Sequence, residues 1–200
     1  MSNQNNKFLI TQSLLSAWLW SYKLDNGYDD FLKTLHREKT PPTTAMLDGI
    51  RFENCLNATL NGADIYADHE WFKPVVQLAG ELVGAQQQVR LSRDITVGGI
   101  NFVVYGVLDY LKAGIIYDAK FSKTYHYGKY LDSPQWPMYF YICPEAYKFQ
   151  FLICDGKCVY RETYVPDEAE PIERTIKQFM DFLDRQNLVS TFCENWRSKY

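Results

Sequence analysis

Two hundred residues, 46% hydrophobic and 16% aromatic, suffice for one domain with an ample core and are too few for two ordinary domains joined by a linker. A net charge of −3 excludes a protein that coats nucleic acid through its overall charge, so any contact with DNA has to come from a local basic surface. No apolar run has the length of a bilayer crossing and the polar start Met1-Ser2-Asn3-Gln4-Asn5-Asn6 is no secretory leader, which predicts a cytoplasmic chain without membrane contact; five cysteines, an odd number without a disulfide pattern, predict reduced thiols.

In chain order, residues 1–8 read as a disordered tail. Thr11 or Ser13 is the expected N-cap of a first helix running to about residue 22, with Leu14, Leu15, Trp18 and Leu19 on its apolar face. A charged connector with Lys33, His36, Arg37, Glu38 and Lys39 ends at Pro41-Pro42, and helices are predicted over residues 43–60 and 72–83. Three strands follow, over 88–97, 100–108 and 115–120, with Gly98-Gly99 as the first hairpin turn and Gly114 in the second. Gln135-Trp136-Pro137-Met138-Tyr139 opens a helix, since proline in the first turn argues against a strand. Strands over 149–154 and 158–164 flank a turn at Asp155-Gly156-Lys157, with Cys154 and Cys158 as packing residues. Pro171 opens a last helix, Ile172, Ile176, Phe179 and Leu183 keeping helical spacing, within a helical C-terminal segment 167–200. His36, His69 and His126 show no ligand spacing and read as surface or structural residues.

The chemistry concentrates at two strand ends. The run Ile100 to Asp109 and the run Ile115-Ile116-Tyr117-Asp118-Ala119-Lys120 read as a hairpin, and period-2 alternation puts Asp118 and Lys120 on one face with Ala119 on the other. With Asp109 on that same face, two carboxylates can hold a divalent cation and leave the Lys120 amine beside its bound water. Gly49-Ile50-Arg51-Phe52-Glu53 adds a third carboxylate one helical turn after a glycine that would let another backbone approach it, and the same spacing sets Gln135 and Tyr139 on one face. Taken singly, each of these residues has an ordinary reading as a strand end, a surface pair or a solvated acid; their joint order carries the argument.

An anionic phosphodiester is attacked by water when a cation neutralises charge and supplies a hydroxide-like nucleophile. Asp109 and Asp118 are the candidate direct ligands, together with the Ala119 carbonyl, while Glu53 would ligate through water or hold a second ion. Such an all-oxygen set suits magnesium, Mg²⁺, or manganese, Mn²⁺. Lys120 would orient or deprotonate the attacking water or stabilise charge on phosphorus, base action requiring a lowered pKa. Gln135 would hydrogen-bond the nucleophile or a ligand, and Tyr139 would position the end of a DNA strand. The stretch from Lys120 to Tyr130 is rich in lysine and tyrosine and has no acid, so Lys123 and Lys129 are candidates for phosphates and Tyr125 and Tyr127 for stacking on unpaired bases. Thr11, Ser13 and Ser16 are further candidate donors to phosphate oxygens at a helix start.

The ordered set Gly49-x-x-x-Glu53, Gly106-Val107-Leu108-Asp109, Asp118-Ala119-Lys120 and Gln135-x-x-x-Tyr139, preceded by the segment from Ile10 to Trp18, resembles the PD-(D/E)XK nuclease superfamily, in its branch of RecB-like and phage recombination exonucleases. The resemblance spans residues 10 to 160. Many RecB-like members have histidine where this chain has Glu53, and other exonucleases of the superfamily have an acid there. The resemblance implies an α/β, restriction-endonuclease-like αβββαβ core with a mixed central sheet flanked by helices. It further implies a Mg²⁺-dependent exonuclease acting at single-stranded or duplex DNA ends in phage-type recombination or repair, with a single-strand annealing protein and a homo-oligomer as implied partners. Some relatives hold an iron–sulfur cluster; Cys55, Cys143, Cys154, Cys158 and Cys193 lack the compact run such clusters use, so none is expected. A structure-specific endonuclease and a catalytically inactive DNA- or protein-binding module of the same fold stay open at this point.

Overall fold

Phe8–Thr11 form a first strand, β1, which corrects the tail expected to reach residue 8. The Phe8 ring lies 6.4 Å from that of Phe102 and 5.7 Å from that of Phe192, so this short strand is held by tertiary packing. The structure, a computed structural model, describes residues 7–63 and 70–199; the remainder of the expected tail and His69 lie outside them. Thr11 caps α1 (Gln12–Trp20), its hydroxyl accepting from the Leu14 N–H at 3.3 Å, so β1 passes into a helix without a loop. A second correction concerns the charged connector, part of which is helical: α2 (Gly27–Leu35) buries Phe31 and Leu35, one turn apart, among polar neighbours. Gly27 faces the Trp20 carbonyl so closely that no side chain fits there.

Two helices, α3 (Thr44–Leu60) with Thr43 as N-cap and α4 (Phe72–Leu82), precede the main sheet. Then come β2 (Gln86–Val97), β3 (Ile100–Lys112), β4 (Ile115–Phe121), α5 (Gln135–Ile142), β5 (Lys148–Cys154), β6 (Val159–Tyr164), α6 (Ile172–Arg185) and α7 (Val189–Asn195). The fold is α/β, with six strands among the described residues in one mixed sheet: β2, β4 and β6 run antiparallel to a neighbour, while β1 is parallel to β3 and β5 to β4. Helices cover both faces. Alternation along β4 shows how: Ile116 joins the large cluster built with Leu14, Phe31, Met138 and Phe179, whereas Tyr117, Ala119 and Phe121 join the cluster of Phe52, Leu56, Val75 and Leu78 from α3 and α4. Among the described residues no helix is long and apolar enough to cross a membrane.

The register leaves a gap on one edge of β3. β2 occupies a whole edge of β3, from Gln86↔Leu111 to Val97↔Ile100, so β1 and β4 share the other edge. β1 pairs with residues up to Tyr105 and β4 begins pairing at Tyr110, which, among the described residues, leaves 106–109 of β3 without a strand neighbour on that side. There β1 has turned into α1, and β4 has left β3 to continue along β5 from Ile115↔Lys148 to Phe121↔Cys154.

Candidate active site

Asp109 ends the unpaired stretch. Tyr110↔Tyr117 is the last ladder pair, and the next position in that register sets Asp109 against Asp118 across the point where the strands part. The Asp109 carboxylate takes the place of a ladder carbonyl, Oδ2 accepting from the Ala119 N–H at 3.2 Å. Side-chain alternation also breaks here: Leu108 packs in the large cluster and Tyr110, two residues on, in the α3–α4 cluster.

Asp118 is buried, its side chain 2% exposed, and its two oxygens face different groups. Oδ1 accepts a short hydrogen bond from Gln135 Nε2, and Oδ2 lies 2.7 Å from Lys120 Nζ but receives no hydrogen bond of good geometry. Lys120 follows from β4 alternation and Gln135 from the first turn of α5, so sheet and helix converge on one carboxylate. Burial, followed by the neighbouring charges of Asp118 and Glu53, holds the Asp109 carboxyl well above its usual range, against the opposing pull of Lys120 and the Ala119 N–H. For Lys120, burial disfavours the ammonium, yet the carboxylates of Asp118 and Asp109 outweigh it and raise the amine above its ordinary value. That direction is opposite to the one a general-base role requires.

Glu53 reaches the site from α3, half-buried, with Oε1 accepting from Gln88 Nε2 at 3.0 Å. Gly49 does not serve it as expected: among the described residues, nothing outside its own helix backbone comes within 4 Å of where a Gly49 side chain would begin. The close approach is at Gly106 instead, where a Cβ would stand 2.7 Å from Tyr139 Cε1 and 2.8 Å from Ile142 Cδ1. Tyr139 donates its hydroxyl to the Val107 carbonyl at 2.9 Å, satisfying an acceptor that the missing strand neighbour leaves open. Burial, then the charges of Asp118 and Asp109, raise this phenol above its ordinary value.

The candidate DNA contacts divide. Ser16 and Lys129 meet Lys120 and Gln135 around a cavity of about 150 Å³ that Gln12 and Trp20 also line. Thr11, Ser13 and Tyr139 line a separate depression over Gly106 and Val107. Lys123 pairs with Asp48 of α3 at 2.6 Å, and Lys129 donates to Ser122 Oγ at 2.5 Å and the Thr124 carbonyl at 2.9 Å. Tyr125 packs on Tyr160, rings 4.6 Å apart, and burial, then its hydrogen bond to Glu162, pushes its phenol up to about 12. Tyr127 is 88% exposed. Sequence reasoning passed over Gln12, Trp20 and Gln88; the helical spacing of Gln12 and Ser16, whose side chains hydrogen-bond at 2.9 Å, is a signal it could have used.

Among the described residues no three His, Cys, Asp or Glu side chains close on a common point as a ready metal cage. No family model matches the chain, and no curated protein is similar to it. By structure it is similar to the crystal structure of SSO0001, with 15% identity and a TM-score of 0.54 over 94% of this chain and 79% of that one. At that identity the likeness is one of fold.

Proposed function

We propose that this protein is a metal-dependent deoxyribonuclease of the PD-(D/E)XK type that hydrolyses phosphodiester bonds at DNA ends, in recombination or repair. The observation that carries the reading is the convergence of Asp109, Asp118, Lys120 and Gln135 where β3 and β4 part, with Glu53 close enough for its charge to act on Asp109. The donor set fits a divalent cation on two grounds. Burial and then the charges of Asp118 and Glu53 raise the Asp109 carboxyl, and a cation would offset those charges; the buried Asp118 Oδ2, 2.7 Å from Lys120 Nζ, keeps lone pairs that no hydrogen bond of good geometry takes up. Mg²⁺ keeps several waters and needs few protein ligands, so Asp109 and Asp118 would hold it with the Ala119 carbonyl, and Glu53 would act through water. When bound, such an ion neutralises phosphate charge and makes its water more acidic.

The chain's own residues do the rest. Gln135 fixes the orientation of Asp118 through Oδ1, and Lys120, as a cation, orients the attacking water and offsets the charge that grows on the phosphoryl oxygens. Water adds to phosphorus and gives up a proton to solvent, the bond to the leaving oxygen breaks, and that oxygen takes up a proton from solvent. The cavity beside Lys120, lined by Ser16, Trp20 and Lys129, measures about 150 Å³, the size of a single ring and far short of a duplex, which favours a frayed end over closed DNA. The strand left behind would be a substrate for a single-strand annealing protein.

Incubation of the purified protein with end-labelled linear DNA and covalently closed circles, in Mg²⁺, Mn²⁺ or EDTA, tests this. Linear DNA should be degraded, circles should survive and EDTA should stop the reaction. Rapid linearisation of circles would show a structure-specific endonuclease, and DNA binding without cleavage an inactive module.

A further inference from the structure

Gln88 is the one residue of β2 whose backbone departs from strand geometry: its φ is +53°, in the left-handed region that a β-sheet does not use and that glycine adopts far more readily than glutamine. It interrupts the ladder near its start, for the pairing with β3 passes from Gln87↔Tyr110 to Val89↔Leu108 and so sets Gln88 opposite Asp109. A disfavoured conformation persists where surrounding contacts determine it. Here the contact is the amide of the same residue, which reaches out of the sheet to α3 and donates to Glu53 Oε1 at 3.0 Å.

The two irregularities are one device. Across the ladder from Gln88, β3 breaks its own alternation, with Leu108 in one core cluster and Tyr110 in the other, and Asp109 turns to the Ala119 N–H. A single distortion of the β2–β3 pair thus aims Asp109 at Asp118 from one strand and the Gln88 amide at Glu53 from the other. With one carboxylate oxygen of Glu53 held by a donor, the other is left for an external ligand; groups that orient a ligating carboxylate in this way set metal affinity without touching the metal.

We propose that Gln88 is a positioning residue for Glu53, tuning the affinity of the site for a divalent cation. This rests on the nuclease reading above. Calorimetric titration of the DNA-free protein with Mg²⁺ is the primary test, with cleavage of linear DNA against Mg²⁺ concentration as the second readout. Gln88→Gly removes the amide while adopting the left-handed backbone freely, so it should melt no lower than wild type yet bind Mg²⁺ about ten-fold more weakly, with maximal cleavage recovered at saturating Mg²⁺. In a Glu53→Gln background the same change should add nothing, because both act through one contact. Unchanged Mg²⁺ affinity in Gln88→Gly beside a wild type that binds Mg²⁺ overturns the inference and leaves the nuclease reading in place. A wild type that binds no Mg²⁺ and cuts no DNA overturns both.

Discussion

Residues 109–120 and residues 122–130 are neighbours in the chain and carry similar polar side chains, yet they direct them differently. In the first stretch Asp109, Asp118 and Lys120 face one another, with Gln135 added from α5, and the arrangement leaves charge unrelieved: Asp109 is held above its usual range by burial and by two other acids. In the second, protein partners engage Lys123, Lys129 and Tyr125 and leave Tyr127 exposed. Lys129 donates to Ser122 and Thr124, Lys123 meets Asp48, and the Tyr125 ring lies on Tyr160. The contrast teaches that a lysine or tyrosine marks a binding surface only when the fold leaves it without an internal partner, and that an acid marks a reactive centre when the fold forces it against another acid.

Asp118→Asn should have the largest effect. It keeps the volume and an acceptor for Gln135 but removes the charge facing Lys120, so cleavage should fall by about 10³-fold or more, on the scale of the several kcal/mol a catalytic cation supplies. Near-UV circular dichroism should be unchanged, and retained cleavage would place the chemistry elsewhere. Lys120→Ala comes next: Mg²⁺ and DNA binding should persist while turnover drops by roughly 10²-fold or more, the scale of one positioned proton-transfer or charge-stabilising group. Equal single-turnover rates in wild type and variant would remove Lys120 from the reaction.

A smaller effect sharpens the contrast within the loop. Tyr127→Ala should weaken single-strand binding by about 1–3 kcal/mol for a stacked base, measured by fluorescence anisotropy, because that ring is free to receive one. Tyr125→Ala should leave binding near wild type and lower the melting temperature instead, because its ring and hydroxyl are already engaged with Tyr160 and Glu162. Equal losses of binding would mean that Tyr125 leaves Tyr160 when DNA arrives.

The smallest effect is one of pH. Asp109 has a folded pKa raised above the ordinary 3.8, so the folded state binds its proton more tightly than the unfolded state does. Its contribution to stability is present in full below that ordinary value and is lost as pH rises through the raised one. In EDTA, Asp109→Asn should therefore melt above wild type at neutral pH, with the two converging in acid. Mg²⁺ should narrow the gap by relieving the same repulsion; a gap that ignores pH would separate Asp109 from the charge cluster.

Much of this was legible in residue order because the signals are local. Thr43 and Thr11 announce helix starts by capping chemistry, and a period of two settles that Asp118 and Lys120 share a face whatever the strand packs against. β1 was not legible, for its four residues become a strand through pairing with β3 and through the Leu9 N–H donating to the Trp196 carbonyl at 2.7 Å. Nor was α2, which announces itself with two buried residues among charges. Gly49 looked like the permissive glycine, and the crowded one is Gly106, because crowding is set by α5, a helix distant in sequence.

The amino-acid sequence by itself determined the order of α4 to β5, the hairpins at Gly98-Gly99 and Gly114, and the inventory of acids, lysine and glutamine that meet at one place. The tertiary structure alone decided that β1 and β4 share an edge of β3 and leave residues 106–109 open between them, that alternation breaks at Asp109, and that Gln88 leaves strand geometry to hold Glu53. Periodicity and capping act within a few residues and survive in the sequence, whereas a gap in a sheet, a burial-raised carboxyl or a lysine already paired depends on which distant segments become neighbours, and no local pattern encodes that.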